Sequence, residues 1–390
     1  MFSTIALYNC AFLCLVKIAI ACASTPEQRA AAGPLIAIQN VHVWNGKGFP
    51  STTSTVVLSG GIITNANPAG ATVVNGNGGY LLPGFIDSHC HIQECSYLTP
   101  MRQYGVTTAL DMGSFPYSGL VACRASGVTD VRGPGGLGTV NGTTAAGLPG
   151  YPTDGLIPNP TAGEKFVADR VAQGVDYIKL FLDVLGPTDD TIKAVTSAAH
   201  SFNRLVISHA PTNADYDQAE ASDVDIPTHA PLDQPLNASQ ISNLVTNGRH
   251  VVPTLIMMQS IVNNTHQPFS NYVLNAEGSV TEMIKAGVPI VVGSDSNLSP
   301  YVPANPPFGI SLHHELQLLV QAGLTPVQAI QGATSLAAST FRLYDRGTIA
   351  PGLRADLVLL SADPTVNIAN SLSIEKVWLA GVEFDPTTSS

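Results

Sequence analysis

Six side chains that can bind metal ions each end, or interrupt, a short apolar run. They are His89, His91, Lys179, His209, His229 and Asp295. His89 and His91 follow the apolar residues 82–86, and on a β-strand two residues spaced i and i+2 point to the same face. Two neutral imidazoles on one face can hold one zinc or similar ion. This spacing predicts a metal site built around the first histidine pair.

Lys179 is the residue of this set that is hardest to explain structurally. It lies inside the apolar run of residues 177–181, and a lysine is rarely buried unless it is paired. Burial lowers the pKa of an amine and so increases its neutral fraction. A neutral amine can react with carbon dioxide to give a carbamate, which is a carboxylate able to bridge two metal ions. Taken singly, a strand-end histidine is more often structural, and Asp295 suits a helix N-cap. The six together predict a two-metal ligand set.

The elements around these residues alternate between strand and helix patterns. Strands are predicted at residues 84–91, 106–112, 128–131, 177–182, 205–208, 225–228, 250–255 and 289–293. Helices are predicted at residues 162–173, 190–202, 239–247, 279–286, 312–322 and 326–340. Eight strands alternating with helices over about 250 residues favour a (β/α)8 TIM-type barrel, in which catalytic groups lie at the carboxyl ends of the strands. A doubly wound open sheet is less favoured, because no Gly-x-Gly-x-x-Gly turn follows the first strand.

Both ends of the chain carry short β patterns. Residues 35–44, 55–63 and 71–74 read as strands between Gly- and Asn-rich turns, and residues 355–360 and 374–380 also read as strands. We expect residues 24–82 and 345–390 to form a small β domain. Residues 83–344 are then the barrel.

The composition limits the partners of the chain. Of 390 residues, 45% are hydrophobic and 12% are charged, with a net charge of −11. The charges are scattered and form no basic patch, so a nucleic-acid partner is not expected. A negative surface also argues against binding to anionic membranes.

The N-terminus is expected to be a secretory signal peptide, residues 1–23. Residues 5–21 are mostly apolar and Ala21-Cys22-Ala23 is a small-x-small cleavage pattern, although Lys17 interrupts the run. A membrane anchor or a buried helix is the alternative.

The mature chain keeps Cys90, Cys95 and Cys123, which allow one disulfide at most. The candidate N-glycosylation triplets, expected in surface loops, begin at Asn141, Asn237, Asn263 and Asn297.

Several motifs together resemble those of the amidohydrolase superfamily, in particular its imidazolonepropionase-like and prolidase-like carboxypeptidase branch. The matching segments are Pro83-Gly84-Phe85-Ile86-Asp87-Ser88-His89-Cys90-His91, Tyr177-Ile178-Lys179, Ser208-His209-Ala210, Pro227-Thr228-His229, Val252-Pro253-Thr254-Leu255, Gly293-Ser294-Asp295, Ala322-Gly323-Leu324-Thr325-Pro326, Ala333-Thr334 and Gly352-Leu353-Arg354-Ala355-Asp356-Leu357-Val358. They cover nearly all of the mature chain.

The resemblance implies a β-sandwich made from both chain ends beside a distorted barrel. It also implies that His89, His91 and Asp295 hold one divalent metal, that His209 and His229 hold a second, and that carboxylated Lys179 bridges them. Zinc is the expected metal, although the ligand set would admit manganese or cobalt. Asp295 would take a proton from water and pass it to the leaving group.

The function expected from this resemblance is hydrolysis of an amide bond by a secreted enzyme. N-acyl amino acids, dipeptides and toxin amides are candidate substrates, since secreted ochratoxinases belong to this branch. A lactonase or esterase, a cyclic-amide hydrolase and a metal-free binding relative are the alternatives. Deamination is less favoured, because Thr212 stands where related deaminases usually carry a glutamate. Many members of that superfamily form rings, so the resemblance also suggests a homo-oligomer.

A carboxypeptidase needs a cation that binds the substrate carboxylate. Arg132 is the first candidate, and Arg102 and Arg124 are further ones. His313 is a candidate substrate-binding residue, because the branch often has a histidine beside a glutamate at this point.

Overall fold

The computed structural model describes residues 34–125, 127–183 and 185–386. Its strands are β1 Ile36–Val43, β2 Ser54–Ser59, β3 Ile62–Thr64, β4 Thr72–Asn75, β5 Tyr80–Pro83, β6 Phe85–Cys90, β7 Val106–Asp111, β8 Asp130–Arg132, β9 Ile178–Phe181, β10 Val206–His209, β11 Ile226–Thr228, β12 Leu357–Leu360, β13 Ile374–Leu379 and β14 Val382–Phe384. The predicted signal peptide lies outside the described residues.

The helices lie mainly between the central strands. They are α1 Leu98–Gln103, α2 Tyr117–Ala122, α3 Pro160–Gln173, α4 Asp189–Ser201, α5 Asn213–Ala221, α6 Ala238–Thr246, α7 Leu255–Asn264, α8 Gly278–Ala286, α9 Ile310–Gln321, α10 Pro326–Gly332 and α11 Ser335–Thr340. A π-helical segment, Asn271–Glu277, leads into α8. None of the helices within the described ranges is long and apolar enough to cross a membrane.

The central strands form two parallel sheets of three strands each. One has the order β6-β7-β8 and the other the order β11-β10-β9. Single β-bridges extend both sheets: Gly138 pairs with Leu180, Thr228 with Val252, Val251 with Ile290, and Cys90 with Ser296. All six strands are almost entirely buried, as expected for parallel strands covered on both faces. Their carboxyl ends therefore open on one edge.

The two chain ends share one eight-stranded sheet. Its order is β14-β13-β12-β5-β1-β2-β3, with β4 also paired to β1. The ladder of β1 shifts between Ile38 and Val41, where Asn40 has φ +55°. One half of β1 consequently pairs with β2 and β4, and the other half with β5. Its apolar face packs Ile38, Leu81 and Trp378 into one cluster.

Two predicted strands differ from the structure. Residues 250–255 and 289–293 make only single bridges. The pairing of the first segment is limited because it contains Pro253, which lacks an N–H, and because α7 begins at Leu255. The predicted helix 326–340 is two helices that separate at Ala333 and Thr334. Four helices were missed in the prediction: α1, α2, α5 and α7.

Cys95 and Cys123 form a disulfide with their Cα atoms 5.0 Å apart. It connects the turn before α1 to the residue that follows α2. Cys90 is buried and free, and its thiol lies 3.4 Å from the carbonyl oxygen of Leu110. Cys90 is therefore a core residue.

Candidate metal centre

All six predicted ligands lie at or near the carboxyl ends of the buried parallel strands. His89 is on β6 with His91 just beyond it, Lys179 is on β9, and His209 ends β10. His229 follows β11 directly, and Asp295 follows the segment that bridges back toward β6. His89, Lys179, His229 and Asp295 are at most 5% exposed, whereas His91 and His209 are half-buried. The second pair therefore faces the opening.

The Asp295 carboxylate is the point on which three imidazoles converge. Its Oδ1 lies 3.1 Å from His91 Nε2 and 3.4 Å from His89 Nε2. Its Oδ2 lies 3.8 Å from His229 Nδ1. His229 also packs edge-on against His209, with ring centroids 4.5 Å apart. A ring of Phe181 stacks on His209 at 4.0 Å, which limits the rotation of that imidazole.

Asp87 fixes the segment that carries Asp295. Its buried carboxylate accepts hydrogen bonds from Ser294 N–H at 2.9 Å and from Ser294 Oγ at 2.5 Å. The N–H of Asp295 donates to the His89 carbonyl oxygen at 2.7 Å. Burial raises the pKa of Asp87 to about 6. Asp87 is two residues before His89, so the i, i+2 alternation that identified the histidine pair also places Asp87 on the same face of the strand.

Three site residues have left-handed backbone conformations. The φ angles are +78° at His229, +48° at Thr254 and +55° at Asp295. Such angles are uncommon for residues other than glycine and cluster at functional sites. Thr254 Oγ1 lies 2.8 Å from His229 Nδ1.

Burial sets the protonation of the site. It lowers the pKa of His89, His209 and His229 well below the ordinary value, and the neighbouring cationic side chains lower it further. Burial also lowers the pKa of Lys179 to about 7. The Lys179 amine donates to Thr228 Oγ1 at 3.0 Å. The site therefore presents neutral imidazoles and an amine with a large neutral fraction near pH 7.

The donor set fits a divalent metal ion. His89 Nδ1 and His229 Nε2 are buried and have no hydrogen-bond partner, although buried polar atoms are normally paired. Within the described ranges, ligand atoms of His89, His229 and Asp295 lie within 4.8 Å of one another. Neutral imidazole and carboxylate are ligands of zinc and related metals.

The arginines proposed to bind a substrate carboxylate are paired elsewhere. Arg132 Nη2 donates to Asp130 at 2.9 Å, and its Nη1 lies 3.7 Å from Asp176. Arg124 also pairs with Asp176, at 2.8 Å. Arg102 donates to the Gly127 carbonyl oxygen and lies over the ring of Phe384. The structure brings none of these three arginines to the metal ligands.

His313 is also placed away from the ligands. Its Nδ1 lies 2.8 Å from Ser371 Oγ and its Nε2 lies 2.9 Å from the Tyr104 carbonyl oxygen. Its ring packs edge-on against Phe85, at the amino end of β6, opposite to the end that carries His89. Both ring nitrogens are engaged by these two partners, so the structure gives no support to the prediction that His313 binds substrate.

Asn297 also departs from expectation. It is 2% exposed, and its amide nitrogen donates to the carbonyl oxygens of Asp295 and Ala304. Asn297 is therefore a buried residue that stabilises the Asp295 loop and not a surface acceptor. Asn141, Asn237 and Asn263 are exposed, but Asn263 lies within α7 and not in a loop.

A family model described as "Amidohydrolase family" matches residues 80–383, which include all six predicted ligands. The chain belongs to the amidohydrolase family.

Among curated relatives, adenine deaminase 1 of Rhizobium etli is 26% identical over 340 residues, covering 82% of this chain and 52% of that protein. The chain thus spans about half the length of the curated amidohydrolase relatives that it matches.

Solved structures show the same fold. A Xaa-Pro dipeptidase with bound methionine has a TM-score of 0.79 at 18% identity, covering 90% of this chain and 100% of that chain. The ochratoxinase of A. niger has a TM-score of 0.75 at 17% identity, covering 92% and 97%. The chain therefore has the TIM-barrel-like α/β domain of these amidohydrolases.

Proposed function

We propose that the protein hydrolyses an amide bond of a small molecule at a centre of two divalent metal ions. The observation that carries this proposal is the convergence of His89, His91 and His229 on Asp295, beside two buried imidazole nitrogens that have no partner. Membership of the amidohydrolase family supports the reaction class.

The ligands fall into two groups in this proposal. His89, His91 and Asp295 would hold one metal, His209 and His229 the other, and carboxylated Lys179 would belong to both. The neutral amine of Lys179 would add to carbon dioxide, forming one N–C bond and releasing one proton. Its pKa of about 7 supports this step. Zinc suits the imidazole-rich set.

Divalent metals bound here would lower the pKa of water and polarise the substrate carbonyl. Asp295 Oδ1 or Oδ2 would accept the proton of the attacking water and return it to the departing amine. Addition of water across the C–N bond gives one carboxylic acid and one amine. The low pKa of the buried histidines keeps them as neutral ligands, so none of them competes for this proton.

We propose a neutral amide as the substrate class, in preference to a carboxypeptidase substrate. Recognition of a terminal carboxylate requires a cation near the site, and Arg132, Arg124 and Arg102 have other partners. Acidic residues gather after the strands β9, β10 and β11: burial raises the pKa of Asp215, in the first turn of α5, and the nearby Asp183 and Asp233 raise it further. N-acyl amino acids and dipeptides are therefore weaker candidates than an uncharged amide such as a toxin amide.

The architecture and location are part of the proposal. The bridges between the two parallel sheets support one distorted eight-stranded barrel over residues 83–344. The sheet shared by both chain ends supports a β-sandwich formed by residues 24–82 and 345–390.

The Cys95–Cys123 disulfide supports secretion, because disulfides persist in oxidising compartments. Glycosylation in that setting would use Asn141, Asn237 or Asn263.

Deamination is the second candidate function, because the first curated relatives are adenine deaminases. At the position where a deaminase glutamate is expected, the Thr212 hydroxyl donates to Asp215 at 2.6 Å within the capping box of α5. A threonine that is committed to a helix cap cannot supply a carboxylate. A lactonase or esterase remains the alternative on the same metal centre.

A matched substrate panel tests the proposal. Zinc-loaded protein would be given an N-acyl amino acid, its uncharged carboxamide, a lactone with the same acyl group, and adenine. We expect turnover of the uncharged amide and no ammonia from adenine. Turnover of the lactone alone or of adenine alone would overturn the proposal, and preference for the free carboxylate would overturn its substrate class.

The bridging lysine has a separate test. Protein supplied with 13C-labelled bicarbonate should show a carbamate carbon signal by NMR and should contain two metal ions. We expect Lys179→Gln to lose that signal and to fall below two metals per chain, while the exposed Lys165→Gln control keeps both. Two metals and full turnover in Lys179→Gln would contradict the assignment.

A further inference from the structure

We infer that Thr254 and Glu315 are positioning residues that set the orientation of the His229 imidazole. Neither residue belongs to the predicted ligand set. The inference rests on the proposed function only in taking His229 as a metal ligand. Its evidence is a chain of short contacts that connects α9, the start of α7 and the imidazole.

The first contact fixes the histidine ring. Thr254 Oγ1 lies 2.8 Å from His229 Nδ1, and both residues are at most 1% exposed. This bond leaves His229 Nε2 as the nitrogen without a partner. Metal-binding histidines commonly use one ring nitrogen for the metal and the other for such an orienting bond. Thr254 thereby leaves Nε2 as the ring nitrogen available to a metal ion, while Nδ1 lies 3.8 Å from Asp295 Oδ2.

The second contact replaces a helix cap. Thr254 is the N-cap residue of α7, yet its side chain makes no capping hydrogen bond. Threonine normally caps with this hydroxyl, which here is committed to His229. The Glu315 carboxylate supplies the missing acceptors: it accepts from Leu255 N–H at 2.9 Å and from Ile256 N–H at 2.7 Å. Glu315 is fully buried and lies on α9.

The third observation is backbone strain at the joint between these contacts. Thr254 has φ +48°, a conformation that a β-branched residue rarely adopts. It persists because both flanking peptides are held. The Pro253 carbonyl oxygen accepts from Ala230 N–H at 2.9 Å, and the next two N–H groups bind Glu315. The strained turn directs the Thr254 hydroxyl at His229.

Metal affinity tests this role independently of turnover. Thr254→Gly removes the hydroxyl and also removes the backbone strain, so it should fold. We expect its zinc dissociation constant, measured by competition with a chromogenic chelator, to rise about 10- to 100-fold. Thr254→Ser keeps the hydroxyl and should bind zinc like the wild type. Asn77→Gly is the matched control, because Asn77 is an exposed residue with φ +51° in the β4–β5 turn.

Glu315→Met removes both acceptors of the Leu255 and Ile256 N–H groups, so its zinc affinity should also fall. Unchanged zinc affinity in Thr254→Gly would overturn the inference while leaving the metal centre intact. If the wild-type protein binds no divalent metal, the proposed function fails and this inference fails with it. Weaker zinc binding in Thr254→Gly, together with wild-type binding in Thr254→Ser, supports the inference.

Discussion

Asp295 is joined to His89 through both its backbone and its side chain. The Asp295 N–H donates to the His89 carbonyl oxygen at 2.7 Å, and Asp295 Oδ1 lies 3.4 Å from His89 Nε2. The first central strand and the last central segment therefore meet at two of the predicted metal ligands. The same contact that brings these segments together sets the geometry of the site.

Asp295→Asn should reduce kcat by about 10²- to 10⁴-fold, because asparagine cannot accept and return the proton. Asparagine tolerates the φ of +55° at this position about as well as aspartate does, so the variant should fold. Steady-state kinetics on the substrate identified by the panel would measure the change. Asp223→Asn is the control, since Asp223 is exposed and has φ +57°. Undiminished turnover in Asp295→Asn would remove Asp295 from the mechanism.

Gly293→Ala should disturb the contact between Asp295 and His89. A Cβ atom at Gly293 would lie 2.6 Å from Val252 Cγ1 and 2.8 Å from the His89 backbone nitrogen. Overpacking of this kind costs about 1–3 kcal/mol, and the shift of His89 should lower the metal content. Thermal unfolding and metal analysis would measure both effects. Gly119→Ala, where nothing lies within 4 Å of the new Cβ, should lower neither the thermal stability nor the metal content.

The convergence of the predicted ligands could be anticipated from the sequence because their positions follow a local rule. Each of His89, Lys179, His209 and His229 lies in or directly after a short apolar run, and the carboxyl ends of parallel strands meet at one edge. Local alternation could also have identified Asp87. Once the order of the strands is known, this rule is enough to place these residues at one edge.

The contacts made over long sequence distances could not be predicted in this way. Glu315 reaches the start of α7 only because α9 packs there, and no periodic pattern connects it to Thr254. Arg132 was expected to bind substrate because its distant partner Asp176 could not be foreseen. Its other partner, Asp130, is two positions away on β8 and could have been found by local alternation. Residues 250–255 are apolar enough for a strand, but Pro253 and the left-handed turn at Thr254 end the pairing.

The Cys95–Cys123 disulfide should contribute about 2–4 kcal/mol to the free energy of unfolding, because it restricts the unfolded chain. The residues are 28 positions apart. We expect dithiothreitol to lower the Tm of the wild type and to leave the Tm of the double variant Cys95→Ser, Cys123→Ser unchanged. Equal Tm values for wild type and double variant without reductant would show that the crosslink adds no stability.

Glu315 should make the stability of the protein depend on pH. Burial raises its pKa from 4.5 to about 8, despite the two backbone N–H groups that favour the carboxylate. Between these two values the folded protein binds more protons at this residue than the unfolded chain does. The contribution of Glu315 to the free energy of unfolding is therefore complete below about pH 4.5 and is lost as the pH rises toward 8.

Glu315→Gln should remove this dependence of the free energy of unfolding on pH. For one fully shifted group the free energy of unfolding changes by about 1.4 kcal/mol per pH unit. Urea unfolding of wild type and Glu315→Gln between pH 5 and 8 should therefore show the wild type losing stability relative to the variant as the pH rises. Glu282→Gln on the exposed face of α8 should follow the wild type. Parallel curves for wild type and Glu315→Gln would mean that Glu315 is ionised throughout, with its two N–H bonds outweighing its burial.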